Sequence, residues 1–118
     1  MRHLKLLLAA VLLLIAGQTM AGKLVKHSFA IANGNFLYDG KPIQIHSGEM
    51  HYARVPAPYW RHRLRMMKAM GLNAVATYVF WNHHEVAPGV WDWKSGNRNL
   101  RTFVKTAGEE GMMVILRP

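Results

Sequence analysis

The sequence GLNAVATYVFWNHHE, residues 71–85, contains the pattern that decides the fold of this chain. Residues 72–81 form an almost continuous apolar run rich in valine, threonine, tyrosine and phenylalanine. Such a run is typical of a strand that is covered on both faces, as in a parallel sheet. Gly71 stands directly before the run, where a glycine readily takes the left-handed conformation that ends a helix. The stretch therefore predicts a helix that ends near residue 70 and a buried strand over residues 72–81.

The same alternation of strand and helix extends on both sides of this strand. On the N-terminal side, residues 43–47 predict a first strand, and two prolines then introduce a helix predicted over residues 57–70. On the C-terminal side, Asn97 is the expected N-cap of a second helix, and residues 112–116 predict a third strand. The order strand, helix, strand, helix, strand indicates an α/β fold.

Turn sequences ahead of the first strand predict a short β-hairpin region. Asn33-Gly34 and Asp39-Gly40 tolerate the positive φ angles that tight hairpin turns require. A dinucleotide-binding fold would place a glycine-rich phosphate loop after the first strand, but only Gly48 is found there. Aromatic, histidine, arginine and carboxylate side chains follow the predicted strands instead. This favours a (β/α)8 barrel, which builds its binding site from such groups at the C-terminal ends of its strands.

Several segments of the chain, taken together, resemble glycoside hydrolase family 35, the β-galactosidase family. They are, in order, FLYDGKP (residues 36–42), SGEMHYARVP (47–56), YW (59–60), GLNAVATYVFWNHHE (71–85) and VILRP (114–118). The resemblance implies the first two and a half β/α units of a (β/α)8 TIM barrel, preceded by the hairpin region. The barrel would be incomplete, because a closed one needs about 250 residues. Inward-facing residues such as Val75 and Ile115 are then expected to lack neighbours.

The resemblance also implies the retaining hydrolysis of terminal β-galactosides. In this reaction one carboxylic acid protonates the leaving oxygen, and a second attacks the anomeric carbon. Both groups are glutamates on later strands of the family's barrel, so they are expected beyond Pro118. The chain is therefore interpreted as an N-terminal fragment that is inactive alone. A truncated secreted carbohydrate-binding or non-catalytic interaction protein is the alternative interpretation.

Tyr78 is the substrate-binding residue of the family that carries over to this chain. It lies near the C-terminal end of the second predicted strand, where its phenol can hydrogen-bond a sugar hydroxyl. Arg54, Trp81, Asn82 and Glu85 follow strands at the same end of the predicted sheet and are further candidates for substrate binding. No cofactor is expected. No metal site is expected either, because adjacent histidines point apart and metal-binding helices place theirs four residues apart.

Residues 1–21 are predicted to be a secretory signal peptide. Arg2 and Lys5 form a basic start, and the apolar run over residues 4–16 is shorter than the roughly 20 residues that span a bilayer. Thr19-Met20-Ala21 is a plausible cleavage site of the small-x-small kind. Residues 22–118 would then be the barrel fragment, exported to a periplasm, the extracellular space or a lysosome.

The composition narrows the class of partner. The 118 residues include 15 lysines and arginines against 6 acidic residues, for a formal charge of +9, and no cysteine, which excludes disulfides and thiol nucleophiles. The densest basic segment puts Arg61, Arg65 and Lys68 on one helical face, which predicts a solvated outer face. The expected partner is therefore a β-galactoside oligosaccharide or glycoconjugate. Neither nucleic acid nor, after signal cleavage, a membrane is expected as a partner.

Overall fold

The computed structural model describes residues 26–118, so the predicted signal peptide lies outside the described residues. The chain divides into two units, Met1–Pro42 and Ile43–Pro118. In the first unit, strand β1 (Phe29–Ala32) pairs antiparallel with β2 (Asn35–Tyr38), and β3 (Lys41–Ile43) lies on the other side of β2.

The structure confirms the predicted hairpin region. Asn33 and Gly34, between β1 and β2, have φ angles of 50° and 73°, and Asp39 and Gly40 have φ angles of 51° and 74°. Two successive positive φ angles characterise the turn that suits the twist of a hairpin. The Asp39 carboxylate also accepts a hydrogen bond from the Ser28 backbone amide at 2.8 Å, which lowers the pKa of Asp39.

The elements of the second unit are β4 (Ser47–Glu49), α1 (Trp60–Ala69), β5 (Ala74–Tyr78), α2 (Trp81–His84), β6 (Glu85–Ala87), β7 (Val90–Trp91), α3 (Leu100–Glu109) and β8 (Met113–Arg117). The unit is built on a parallel three-stranded sheet in the order β4-β5-β8. The mixed α/β class is confirmed, and residues 26–118 form no complete barrel. Within the same range, no helix has the length and apolar character needed to cross a membrane.

The first parallel strand begins later than the sequence predicted. It was expected over residues 43–47, but β4 begins at residue 47. The side chain of Asn73 accepts a hydrogen bond from the His46 backbone amide at 2.8 Å and donates one to the Gln44 carbonyl at 2.7 Å. A single amide side chain thus satisfies backbone groups that a strand ladder would otherwise use.

One of the two predicted helix ends is confirmed, and the other is wrong. Gly71 has a φ of 89° after α1 and so ends that helix as predicted. The predicted N-cap of α3 is wrong, because Asn99, not Asn97, accepts the hydrogen bond from the Thr102 amide, at 3.0 Å. Asn97 instead accepts a hydrogen bond from the Ala57 amide at 2.9 Å and so ties two loops together.

The core of the second unit lies between one face of the sheet and helices α1 and α3. Its buried members are Tyr52, Trp60, Leu64, Val75, Phe103, Ala107 and Met112. Successive strand residues point to opposite faces. Val75 therefore points toward the helices and is fully buried, contrary to the expectation that it lacks neighbours, whereas Ile115 lies on the other face and is 38% exposed.

A buried polar network fixes the loop after β4. The hydroxyl of Tyr52 contacts Nε2 of His84, and both side chains are fully buried. Nδ1 of His84 lies 2.9 Å from the Asp92 carbonyl, which can only accept, so Nδ1 donates and Nε2 accepts from the tyrosine. Trp93 stacks on the same imidazole with ring centroids 3.8 Å apart. The network joins the β4 loop to the segment between β7 and α3.

The basic face of α1 is exposed to solvent, as the sequence predicted, since 64% of the Arg65 side chain is accessible and Lys68 is also exposed. The same face forms ion pairs with the end of α3. Arg61 pairs with Glu109 and Glu110 at the C-terminal end of α3, and Arg65 Nε lies 2.9 Å from Glu110. The Lys68 ammonium donates to the Glu110 carbonyl at 2.7 Å. Hydrogen bonds from Arg65 and Arg61 favour the carboxylate of Glu110 and lower its pKa. These contacts fasten the two helices to each other.

Truncation of the buried aromatic core should destabilise the second unit. Phe103 is fully buried, and Phe103→Ala is expected to cost about 3–5 kcal/mol of unfolding free energy. Met70→Ala serves as the control, because Met70 is 77% exposed and its truncation should cost less than about 0.5 kcal/mol. Urea unfolding followed by tryptophan fluorescence measures both. Equal unfolding midpoints for the two variants would contradict this description of the core.

Candidate functional site

The C-terminal ends of the parallel strands bring three polar side chains to one face of the sheet. Tyr78 and Arg117 are direct neighbours across β5 and β8, and Glu49 lies opposite Ala76 across β4 and β5. Because side chains alternate between faces, Glu49, Tyr78 and Arg117 all lie on the face away from the helices. In a parallel α/β fold this end of the sheet is where ligands bind.

Arg117 contacts both of the other side chains. Its NH1 group donates a hydrogen bond to the Tyr78 hydroxyl at 3.2 Å, and its guanidinium carbon lies 4.2 Å from the centre of the tyrosine ring. Its NH2 group donates to the carboxylate of Glu49. One guanidinium therefore connects the ends of β4 and β5 from its own place at the end of β8.

His51 closes this group from the other side. The Tyr78 backbone amide donates to Nδ1 of His51 at 3.3 Å, so Nδ1 carries no hydrogen. Nε2, which then carries the hydrogen, lies 2.8 Å from the Glu49 carboxylate and donates to it. The ring of Phe80 packs 5.4 Å from the imidazole and 6.1 Å from the Tyr78 ring. We call Glu49, His51, Tyr78 and Arg117 the strand-end cluster.

The electrostatics of the cluster keep Glu49 ionised. The hydrogen bond from Arg117 lowers the pKa of this carboxyl below its ordinary value of 4.5, and His51 acts in the same direction. A lowered pKa means that the ion pair is present at higher pH and is lost when the pH falls through that pKa. Glu49 is thus an acceptor of hydrogen bonds at neutral pH and not a proton donor.

Residues 35–118 match Glycosyl hydrolases family 35. The chain belongs to this family. It is 47% identical over 91 residues to a β-galactosidase from Xanthomonas manihotis. This match covers 77% of the chain and 15% of the relative. β-Galactosidases from Canis lupus familiaris and Homo sapiens are each 49% identical, over 87 and 84 residues. These matches cover 74% and 71% of the chain, and 13% and 12% of the respective relatives, so the chain spans a small part of their length.

The residues predicted for substrate binding, Tyr78 from the family resemblance and the others from their positions after strands, have different surroundings. Tyr78 is the last residue of β5 and is 39% exposed. Arg54 follows β4 in a short 3-10 helix, and its guanidinium lies 5.6 Å from the centre of the Phe80 ring. Arg54, Phe80 and Asn82 line an open groove of about 380 Å³. Phe80 thus lies between Tyr78 and this groove.

Trp81 and Glu85 have different surroundings. Trp81 begins α2 with 66% of its surface exposed. Glu85 accepts a hydrogen bond from the Gly89 amide at 2.8 Å, so its carboxylate spans the turn between β6 and β7. Among the described residues, the Glu85 side chain makes this one hydrogen bond. The structure thus places Arg54 and Asn82 on one groove, and gives Glu85 a contact within its own hairpin.

Sequence reasoning did not select Glu49, His51 and Arg117 as site residues. Arg117 follows the last predicted strand directly, which is the signal that could have found it. Glu49 was placed in a loop because the first strand was predicted to end at residue 47. Arg54 was predicted as a substrate-binding candidate, whereas within residues 26–118 Arg117 is the arginine that pairs with the Glu49 carboxylate at the strand ends. Among the same residues, no three histidine, aspartate or glutamate side chains lie close enough together to hold a metal ion.

Removal of the arginine should raise the pKa of Glu49. In Arg117→Gln the principal hydrogen bond that favours the carboxylate is lost, so the pKa of Glu49 should rise toward 4.5. Carbon-13 NMR of the glutamate carboxyls over a pH titration measures this value. Arg65→Gln is the control. Arg65 lies on α1 and pairs with Glu110, so its loss should leave the pKa of Glu49 unchanged. An unchanged Glu49 titration in Arg117→Gln would show that the ion pair is not formed in solution.

Proposed function

We propose that residues 22–118 form the N-terminal part of the catalytic (β/α)8 barrel of a β-galactosidase that hydrolyses terminal β-galactosides with retention. Tyr78 contacts the sugar in this proposal. Family membership supports the activity, and the relatives that match the chain are named β-galactosidases. The observation that carries the proposal is Tyr78, a partly exposed residue at the C-terminal end of a parallel strand whose hydroxyl accepts a hydrogen bond from Arg117.

The carboxylates of the chain support a catalytic centre completed by other parts of the domain. Retaining glycosidases need two carboxyl groups about 5–5.5 Å apart. Of the four glutamates, Glu49 alone ends a strand of the parallel sheet, and it is engaged by Arg117 and His51. The others serve the β6–β7 turn and the contact between α1 and α3. The acid and the nucleophile are therefore proposed to come from later strands, and the chain alone to be inactive.

The surface next to β8 supports the same proposal. Within residues 26–118, β8 pairs with β5 on one side, and its other edge has no strand beside it. An apolar groove of about 490 Å³ lies along this region, lined by Trp93, Leu100, Val104 and Leu116 together with two basic residues. A strand of a closed barrel has a neighbour on each side. We propose that the next β/α unit of the barrel pairs with β8 and fills this groove.

A chimaeric enzyme tests the proposed function. In the Xanthomonas manihotis β-galactosidase, the 91 matched residues are replaced by those of this chain. The chimaera should hydrolyse a chromogenic β-galactoside, whereas the 118-residue chain alone should not. Tyr78→Phe in the chimaera should lower kcat/KM about tenfold, as expected for one lost hydrogen bond to the transition state.

The matched control is Tyr59→Phe, because Tyr59 is 57% exposed but lies before α1 and outside the strand-end cluster. This variant should retain the kcat/KM of the chimaera. Turnover by the chain alone would overturn the proposed placement of the catalytic glutamates. An unchanged kcat/KM in Tyr78→Phe would remove Tyr78 from the sugar site.

We also propose that residues 1–21 direct export of the chain and are then removed. The basic start, the apolar run over residues 4–16 and the small residues before position 22 support this proposal. Mass spectrometry of the protein recovered from the exporting cell should find an N-terminus at Gly22. The double variant Thr19→Asp, Ala21→Asp should block the cleavage, because a small-x-small site requires small residues at these two positions. An exported protein that still begins at Met1 would contradict the proposal.

A further inference from the structure

The contact between Arg117 and Tyr78 restricts where the phenolic hydrogen can point. NH1 of Arg117 lies 3.2 Å from the hydroxyl oxygen. A guanidinium can donate hydrogen bonds but cannot accept them. The Tyr78 oxygen is therefore the acceptor in this pair, and its own hydrogen must be directed elsewhere. The residue is 39% exposed, so a bound molecule can approach this side chain.

We propose that Arg117 is a positioning residue that fixes the Tyr78 hydroxyl as a hydrogen-bond donor to a hydroxyl group of a β-galactoside. The inference rests on the proposed function, in which Tyr78 contacts the sugar. The inference adds that Tyr78 is the donor in the hydrogen bond to the sugar. Arg117 sets this direction without touching the sugar itself.

Glu49 holds the Arg117 guanidinium in place. One carboxylate oxygen accepts from Arg117, and the other accepts from Nε2 of His51. His51 in turn accepts the backbone amide of Tyr78, so the four residues of the strand-end cluster form a closed ring of hydrogen bonds. The ring closes through the Tyr78 backbone amide, while the Tyr78 hydroxyl is held by Arg117. A lysine at position 117 would keep the charge but lack the planar fork that reaches the carboxylate and the phenol together.

A double-mutant cycle in the chimaeric β-galactosidase tests the inference, because the chimaera supplies the later strands of the barrel. The probe is methyl 1-thio-β-D-galactoside, which resists hydrolysis, titrated into the labelled chimaera and followed by NMR. Tyr78→Phe should weaken binding about five- to tenfold, the usual effect of one hydrogen bond. Arg117→Gln should weaken it by a similar factor in the native background, but have almost no effect in the Tyr78→Phe background. A merely structural arginine would weaken binding equally in both backgrounds, and that result would overturn the inference.

Conservative and control variants make the cycle specific. Arg117→Lys should recover part of the affinity lost in Arg117→Gln, because the ammonium still donates to the phenol. Arg65→Gln should bind as the native chain does, since Arg65 pairs with Glu110 on the helix side. The amide spectra of β5 and β8 report whether each variant is folded. If Arg117→Gln does not fold, Glu49→Gln takes its place in the cycle with the same expected pattern.

Modified sugars test the direction of the hydrogen bond. The contacted hydroxyl is the one whose deoxy analogue binds more weakly to the native chain but not to Tyr78→Phe. Fluorine at that position can accept a hydrogen bond but cannot donate one. The fluoro analogue should therefore bind the native chain more tightly than the deoxy analogue. Equal binding of the two analogues would overturn the donor role of Tyr78.

The outcomes separate this inference from the proposed function. Absence of galactoside binding by the chimaera that carries the unsubstituted chain would overturn both. Binding that does not respond to Tyr78→Phe would overturn the place of Tyr78 in the site, and the positioning role of Arg117 with it. Binding that weakens in Tyr78→Phe, combined with additive effects of Arg117→Gln, would overturn the positioning role alone.

Discussion

The parallel register of β4, β5 and β8 is the constraint on which the candidate site depends. It places Tyr78 directly beside Arg117 and brings Glu49 to the same face two rows away. A shift of one residue in either pairing would turn the shifted side chains toward the helices, because the faces alternate with a period of two. The buried helix side prevents such a shift, since it would also expose Val75 and Thr77, which are fully buried.

The two faces of the sheet differ in how completely the second unit covers them. On the helix side, Trp60 is almost fully buried and its indole donates to the Val55 carbonyl at 2.8 Å, so even the polar atom of this core residue is satisfied. On the other side, Ile115 and Tyr78 remain more than a third exposed. The apolar burial that stabilises this unit therefore comes from the helix side, and the opposite face is free to hold polar and aromatic groups.

Much of the fold of the second unit could be predicted because its signals are local. The apolar run of β5 and the left-handed conformation of Gly71 depend on neighbouring residues alone. The start of β4 and the N-cap of α3 could not be predicted, because each depends on a distant asparagine contact. Asn73 binds the backbone 27 residues earlier, at His46, and Asn97 binds the backbone 40 residues earlier, at Ala57. No periodicity in the sequence records such contacts.

The same limit explains why one residue of the strand-end cluster was predicted and three were not. Tyr78 was found through the resemblance to the family, whereas the roles of Glu49, His51 and Arg117 arise from strands that meet only in the folded chain. Arg117 lies 68 residues after Glu49, and their ion pair needs β5 between them to carry the tyrosine that both surround. The same contact determines the charge of the cluster, because the hydrogen bond from Arg117 lowers the pKa of Glu49. Glu49 therefore accepts hydrogen bonds as a carboxylate and does not act as an acid. Chemistry that needs a protonated carboxyl must therefore use a glutamate in different surroundings.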